Sequence, residues 1–190
     1  MAKKESSLKN MIISLVVISF VASLALGGIY NLTKEPIELA VKAKQVNAIK
    51  EVLPAFDSLY SYKTFPESGK DSISVHVGYK GDTLIGTAVS TYSDIGYSPT
   101  RIQLMVGFLP DTTIKNVSVV QQNETPGLGT KMKDAKFKDQ FNMKNPAEFK
   151  MKVKKDGGQV DAITAATISS RAFCDAVDRA YKTYRKKGEK

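Results

Sequence analysis

Ile73 to Val89 reads ISVHVGYKGDTLIGTAV. Ile73, Val75, Val77 and Tyr79 occupy alternate positions, so the two-residue period of an extended chain puts them on one face. Gly81-Asp82 is turn chemistry, and the run from Leu84 to Val89 supplies a second strand, so the stretch predicts an antiparallel hairpin. Further on, Ile102 to Phe108 and Thr113 to Val120 bracket Pro110-Asp111 and are rich in β-branched residues, which predicts another. A short polar helix is expected near Asp134 to Phe141, and a strand over Phe149 to Val153 ending at Gly157-Gly158. Phe173, Ala176, Val177, Ala180, Tyr181 and Tyr184 repeat at i, i+3, i+4, i+7, i+8 and i+11, an amphipathic helix that Ser169 or Ser170 is placed to cap. Antiparallel strands with helices at both ends give an expected fold class of α+β.

Toward the N-terminus, Met11 to Tyr30 is twenty residues without a charge. At a helical rise of about 1.5 Å per residue it spans a hydrocarbon layer of roughly 30 Å. A cleaved signal peptide is the rival, but its apolar region usually runs about 7–15 residues. An uncleaved anchor is therefore the expectation: a cytoplasmic N-terminus over 1–10, a transmembrane helix over 11–30 and an extracytoplasmic domain over 31–190. Lys3, Lys4 and Lys9 against Glu5 form the short positive flank that stays inside. Thr33 is placed to cap a juxtamembrane helix with Pro36 in its first turn. Ile37, Val41, Val46, Ala48, Ile49, Val52 and Leu53 then form its apolar stripe, up to Pro54.

The chain has 190 residues with 28 Lys+Arg against 19 Asp+Glu, enough for one domain with a real core. Residues 130–190 hold 16 basic and 8 acidic side chains, so eight of the nine net positive charges sit there. Such a region can contact anionic lipid, an acidic partner or nucleic acid, although a solvated face is the plainer account. Nucleic acid is not expected, because no aromatic-rich binding motif accompanies the lysines. With Cys174 as its one cysteine and His76 as its one histidine, the chain cannot build a Cys/His zinc cage, a cysteine-ligated iron–sulfur cluster or a haem attachment. Redox chemistry would need an organic cofactor. His76 sits on the strand face opposite the apolar set and reads as a solvated surface histidine, and Cys174 reads as a small buried residue.

Asp161 to Arg171, DAITAATISSR, crowds hydroxyls and small residues at the approach to a helix N-terminus. Free N–H groups and the positive end of the helix dipole would stabilise a phosphate there. Spacing alone favours a structural cap. Ser169 and Ser170 show no hydrolase spacing, so capping or phosphate hydrogen bonding is their expected role.

DAITAAT resembles the flavinylation motif Asp-x-x-(Ser/Thr)-Gly-Ala-(Thr/Ser) of the FMN-binding domain shared by two proteins. These are the G subunit of the Rnf electron-transport complex and the C subunit of sodium-translocating NADH:quinone reductase. Glu124-Thr125-Pro126-Gly127-Leu128-Gly129 is similar to a second loop of that family, where Pro-Gly alone would indicate only a turn. The resemblance implies FMN bound covalently to Thr167 as a phosphoester, with Asp161, Thr164, Ala166 and Ser169 around it. Glu124 and Thr125 would be polar contacts, Leu128 would lie in the loop against the flavin, and Gly127 and Gly129 would allow close approach. Ala165 stands where the family has Gly, a position suited to φ > 0. Gly96-Tyr97 also resembles a family feature, but a Tyr near a strand start is more often core.

By its length the chain resembles the G subunit more than the longer C subunit. That resemblance implies an electron carrier in a bacterial cytoplasmic-membrane complex that moves electrons between ferredoxin and NAD and transports sodium or protons. Its implied partners are the other membrane subunits, the lipid bilayer and an FMN transferase using FAD. The quinone-reductase C subunit, or a membrane-tethered scaffold without redox activity, are the alternatives.

Overall fold

The computed structural model describes residues 7–188; Lys3, Lys4 and Glu5 of the expected positive flank lie outside them. The elements run α1 (Leu8–Val52), β1 (Ser58–Thr64), β2 (Ile73–Lys80), β3 (Thr83–Ser93), β4 (Ile102–Phe108), β5 (Ile114–Gln121), α2 (Ala135–Lys138) and α3 (Thr167–Gly188), with 3-10 turns at Gly129–Lys133, Asp139–Phe141 and Lys154–Asp156. Helices flanking an antiparallel sheet make this an α+β protein, as the alternation and the terminal helix require.

The chain divides into two compact units, through Ala43 and from Lys44. In the first, α1 is long and apolar enough to cross a membrane, and its side chains from Met11 to Tyr30 are exposed, the state a lipid-facing helix presents. Thr33 does not cap a new helix. Its hydroxyl donates to the Ile29 carbonyl (2.9 Å) inside a continuous α1 that also runs through Pro36. Hydroxyls commonly bond back one turn in this way, so Thr33 needs no helix break.

The second unit is a five-stranded meander in the order β1-β2-β3-β4-β5. Val75 faces Val89 across β2 and β3, and Val89 faces Val106 across β3 and β4, so one face is a continuous apolar surface. On that face α3 lays Phe173, Ala176, Val177, Ala180 and Tyr181 against Val75, Val77, Val106 and Phe108. The other face packs Ala88 and Met105 against Ala48, Ile49, Val52 and Leu53 from the end of α1 and just beyond. Gly107 allows this, because a Cβ there would run into the Val52 backbone.

Two further elements, both after α1, differ from expectation. β1, SLYSYKT, is an added edge strand paired with β2 from Ser58↔Tyr79 to Thr64↔Ile73, and it is largely exposed, so no apolar alternation marked it. Phe149 to Val153 is not a strand. Met151 and Val153 do turn inward with a period of two, but among the described residues no strand lies alongside, only an isolated bridge from Val153 to Val160. Their segment folds on itself instead: Lys154 N–H donates to the Val160 carbonyl (2.9 Å) and Val160 N–H to that of Lys152 (3.0 Å).

Candidate functional site

Three connections meet at the N-terminal end of α3. Residues 94–101 join β3 to β4, residues 122–128 lead from β5 into the Gly129–Lys133 turn, and residues 161–166 lead into α3. In the second of these, Leu128 N–H donates to the Thr125 carbonyl (3.1 Å) and Gly127 has φ 75°. That is the type II pattern, with Pro126 pre-set for its position and Gly127 supplying the left-handed residue. Thr130 Oγ1 accepts from Gly127 N–H at 3.0 Å and stiffens the turn.

In the third connection, Ala166 N–H donates to the Ile163 carbonyl (3.0 Å) and Ala165 holds φ 58°. The left-handed conformation that a glycine would have supplied is therefore present with alanine in place. Ser170 locks this reversal: its Oγ accepts from Ile163 N–H (2.9 Å) and donates to the Ala166 carbonyl (3.0 Å). The helix thus begins at Thr167, ahead of both serines expected to cap it.

A cleft of about 460 Å³ lies between these connections, lined by Tyr97, Thr125, Leu128, Gly129 and residues 165–169. Thr167 is half-buried in its wall on the first turn of α3, where backbone N–H groups have no intrahelical acceptor. Its hydroxyl therefore stands beside a ready anion site. Tyr97, Leu128 and Ile168 give the cleft an apolar rim. A hydroxyl, unpaired donors and an apolar slot form the donor set that a phosphate joined to a planar ring requires.

Of the residues singled out from sequence, Thr125, Leu128, Ala166, Thr167 and Ser169 come together here. Asp161 and Thr164 do not. They line a separate hollow of about 290 Å³ with Lys131, Lys136 and Gln140. Asp161 pairs with Lys154 (2.7 Å), and its N–H donates to Gln140 Oε1 (2.7 Å). Gly127 faces open space, so its value is conformational, whereas Gly129 packs against Ser169 and Glu124. Glu124 is sunk below the cleft at 3% exposed. Tyr97 belongs to the cleft although its place near a strand start suggested the core: it is 69% exposed, and Gly96 before it was the available signal.

A larger cavity, about 720 Å³, lies between residues 146–157 and the outer side of α3 and contains no motif residue. Two ion pairs lie within its lining, Arg171 with Asp156 (2.7 Å) and Lys182 with Asp178 (2.6 Å). Cys174 also lines it yet is nearly buried, and burial pushes its thiol up to about 12. His76 is half-buried rather than freely solvated, hydrogen-bonded to Ser61 Oγ through Nδ1 (2.7 Å), and burial lowers its pKa.

The FMN-binding domain family matches residues 96–182, a span that holds the second and third connections and residues 96–101 of the first. Over 175 residues the chain is 35% identical to the G subunit of the ion-translocating oxidoreductase complex of Methanosarcina acetivorans, covering 90% of this chain and 91% of that protein. It is 34% identical to the corresponding G subunit of Cronobacter sakazakii over 78% of this chain and 76% of that one. It is 30% identical to the G subunit of the Na(+)-translocating ferredoxin:NAD(+) oxidoreductase complex of Acetobacterium woodii, covering 90% and 88%. Among solved structures, Shewanella oneidensis NqrC aligns with 63% of this chain and 61% of its own at 24% identity and a TM-score of 0.46.

Proposed function

The chain belongs to the family of G subunits of ion-translocating oxidoreductase complexes, and from that membership we propose that it is a membrane-anchored electron carrier with FMN esterified to Thr167. One observation carries the reading: Thr167, on the first turn of α3, lines the same cleft as Thr125 and Leu128. FMN, when bound, supplies one- and two-electron redox chemistry that no side chain here can perform.

The remaining tasks fall to the chain. The unpaired N–H groups at the start of α3 and the helix dipole hold the phosphate charge. Ala165 and Ala166 leave the approach to Thr167 open, while Tyr97, Leu128 and Ile168 offer apolar surface to a planar ring and keep water from it. For attachment, Thr167 Oγ loses its proton as it bonds to the flavin-side phosphorus of FAD, and the adenylate departs. An FMN transferase would supply the base, since among the described residues no basic side chain lines the cleft. Attachment through an ester keeps the cofactor on a domain that α1 tethers to the cytoplasmic membrane, with the domain on the outer side. Electrons would pass to and from neighbouring subunits of the complex, which moves sodium or protons.

Co-expression with the transferase tests this. The wild-type chain should gain the mass of one FMN less one water and show fluorescence that survives a denaturing gel. Thr167→Ala should fold and show neither; fluorescence retained in that variant refutes the assignment, and a wild-type chain without flavin favours a non-redox scaffold.

A further inference from the structure

Glu124 belongs to a cofactor-associated loop, yet it does not line the cleft. Its Oε2 accepts from Ser169 Oγ at 2.6 Å and its Oε1 accepts from Ser98 N–H at 3.1 Å. One carboxylate therefore joins the first turn of α3 to the connection that carries Tyr97, across a chain separation of 45 residues on one side and 26 on the other. Two glycines make room for it. A Cβ at Gly96 would lie 2.6 Å from Glu124 Oε1, and one at Gly129 would lie 2.6 Å from the Glu124 Cβ and 2.5 Å from Ser169 Oγ. A buried carboxylate is costly unless its oxygens are hydrogen-bonded, and both are.

The bond also sets the polarity of Ser169. A serine hydroxyl has a single proton, and here it goes to Glu124. Toward the cleft, which it lines, Ser169 then has only lone pairs, so it accepts from a ligand N–H or O–H and does not donate to a phosphate. Phosphate binding is left to backbone N–H groups two residues earlier.

We propose that Glu124 is a positioning residue of the cleft, its carboxylate tying Ser169 to the Gly96–Ser98 connection so that Thr167 presents its hydroxyl in one orientation and Ser169 faces inward as an acceptor. The claim deepens the reading of Thr167 as the attachment residue, but its structural half stands without flavin.

The full chain in detergent, as wild type, Glu124→Gln, Ser169→Ala and the double variant, separates the two halves. Hydrogen exchange of the flavin-free proteins is read first. Either single change should speed exchange about tenfold or more over residues 95–99 and 165–171 and leave residues 173–184 unchanged, with the double variant no worse than the worse single, as expected when both break one link. Intact mass then follows FMN incorporation by the transferase. The kcat should fall about tenfold or more at an unchanged KM for this protein, because misplacement of a reacting group slows the step it performs. Should Glu124→Gln not fold, Ser169→Ala breaks the same bond and reports alone. Unchanged exchange, additive effects, or normal kcat in the folded fraction overturns the proposal. A wild-type chain that takes no flavin sinks the assignment of Thr167, while the exchange result still decides the link.

Discussion

Ala165 carries φ 58° two positions before the hydroxyl of Thr167. A left-handed conformation costs an L-residue roughly 1–2 kcal/mol, while glycine gives back about 0.4–1 kcal/mol through unfolded-state entropy. Ala165→Gly should therefore stabilise the domain by about 0.5–1 kcal/mol, about 1–4 °C in Tm by calorimetry, with FMN incorporation unaltered; a lowered Tm contradicts this. Cys174 gives a pH dependence of known sign. Its thiol sits near 12 in the folded chain against an ordinary 9.0, with burial as the main cause. Between those values the unfolded chain has released the proton and the folded chain keeps it, so stability falls as pH rises through that window and is untouched below it. Comparing urea midpoints of wild type and Cys174→Ala from about pH 8 to 10.5 should show a loss of roughly 2 kcal/mol by the upper end that only the wild type suffers. Parallel curves would show that the thiol titrates normally. Cys174 was readable as a small buried residue just inside the terminal helix, whereas the half-burial of His76 was not readable, because Ser61 reaches it from a strand that shows no apolar period.

At the scale of elements, the end of α1 is the lid of one sheet face, and it rests on Gly107. Gly107→Ala pushes the Val52 backbone off the sheet and should cost about 1–3 kcal/mol, measured by chemical unfolding. A neutral result would mean that the helix end shifts freely and is not packed as described. Strand β2 and helix α3 were legible because each writes the period of a buried face into the chain, whereas β3 to β5 were legible from the turns and β-branched runs around them, since β3 and β4 are largely buried on both faces. β1 was not, since an exposed edge strand gains its hydrogen bonds from β2 without needing apolar residues of its own. The segment from Phe149 to Val153 misled for the converse reason: its side chains alternate inward, but a strand also needs a partner backbone.

At the scale of the whole molecule, the boundary between Ala43 and Lys44 divides an exposed apolar helix from a domain that needs the last turns of that helix. A fragment of residues 44–190 should be soluble and unfold near the full-length Tm, whereas one of residues 54–190 uncovers Ala88 and Met105 and should aggregate on size-exclusion chromatography; equal behaviour of the two would show that the covering turns are dispensable. In right-side-out vesicles, protease should reach the C-terminal tail, and full protection would reverse the proposed topology. The α+β class, the apolar stretch able to cross a bilayer, the two hairpins and the inner face of α3 were all written in the order of residues, because periodicity and turn chemistry are local. Which motif residues share a cleft was settled by packing. The backbone reverses at Ala165, so Asp161 and Thr164 face a different hollow from Thr167, and Glu124 meets Ser169 only when the β5 exit packs against α3. Local spacing cannot report that meeting, because contacts between distant segments are made by the closing of the core and not by any one of its elements.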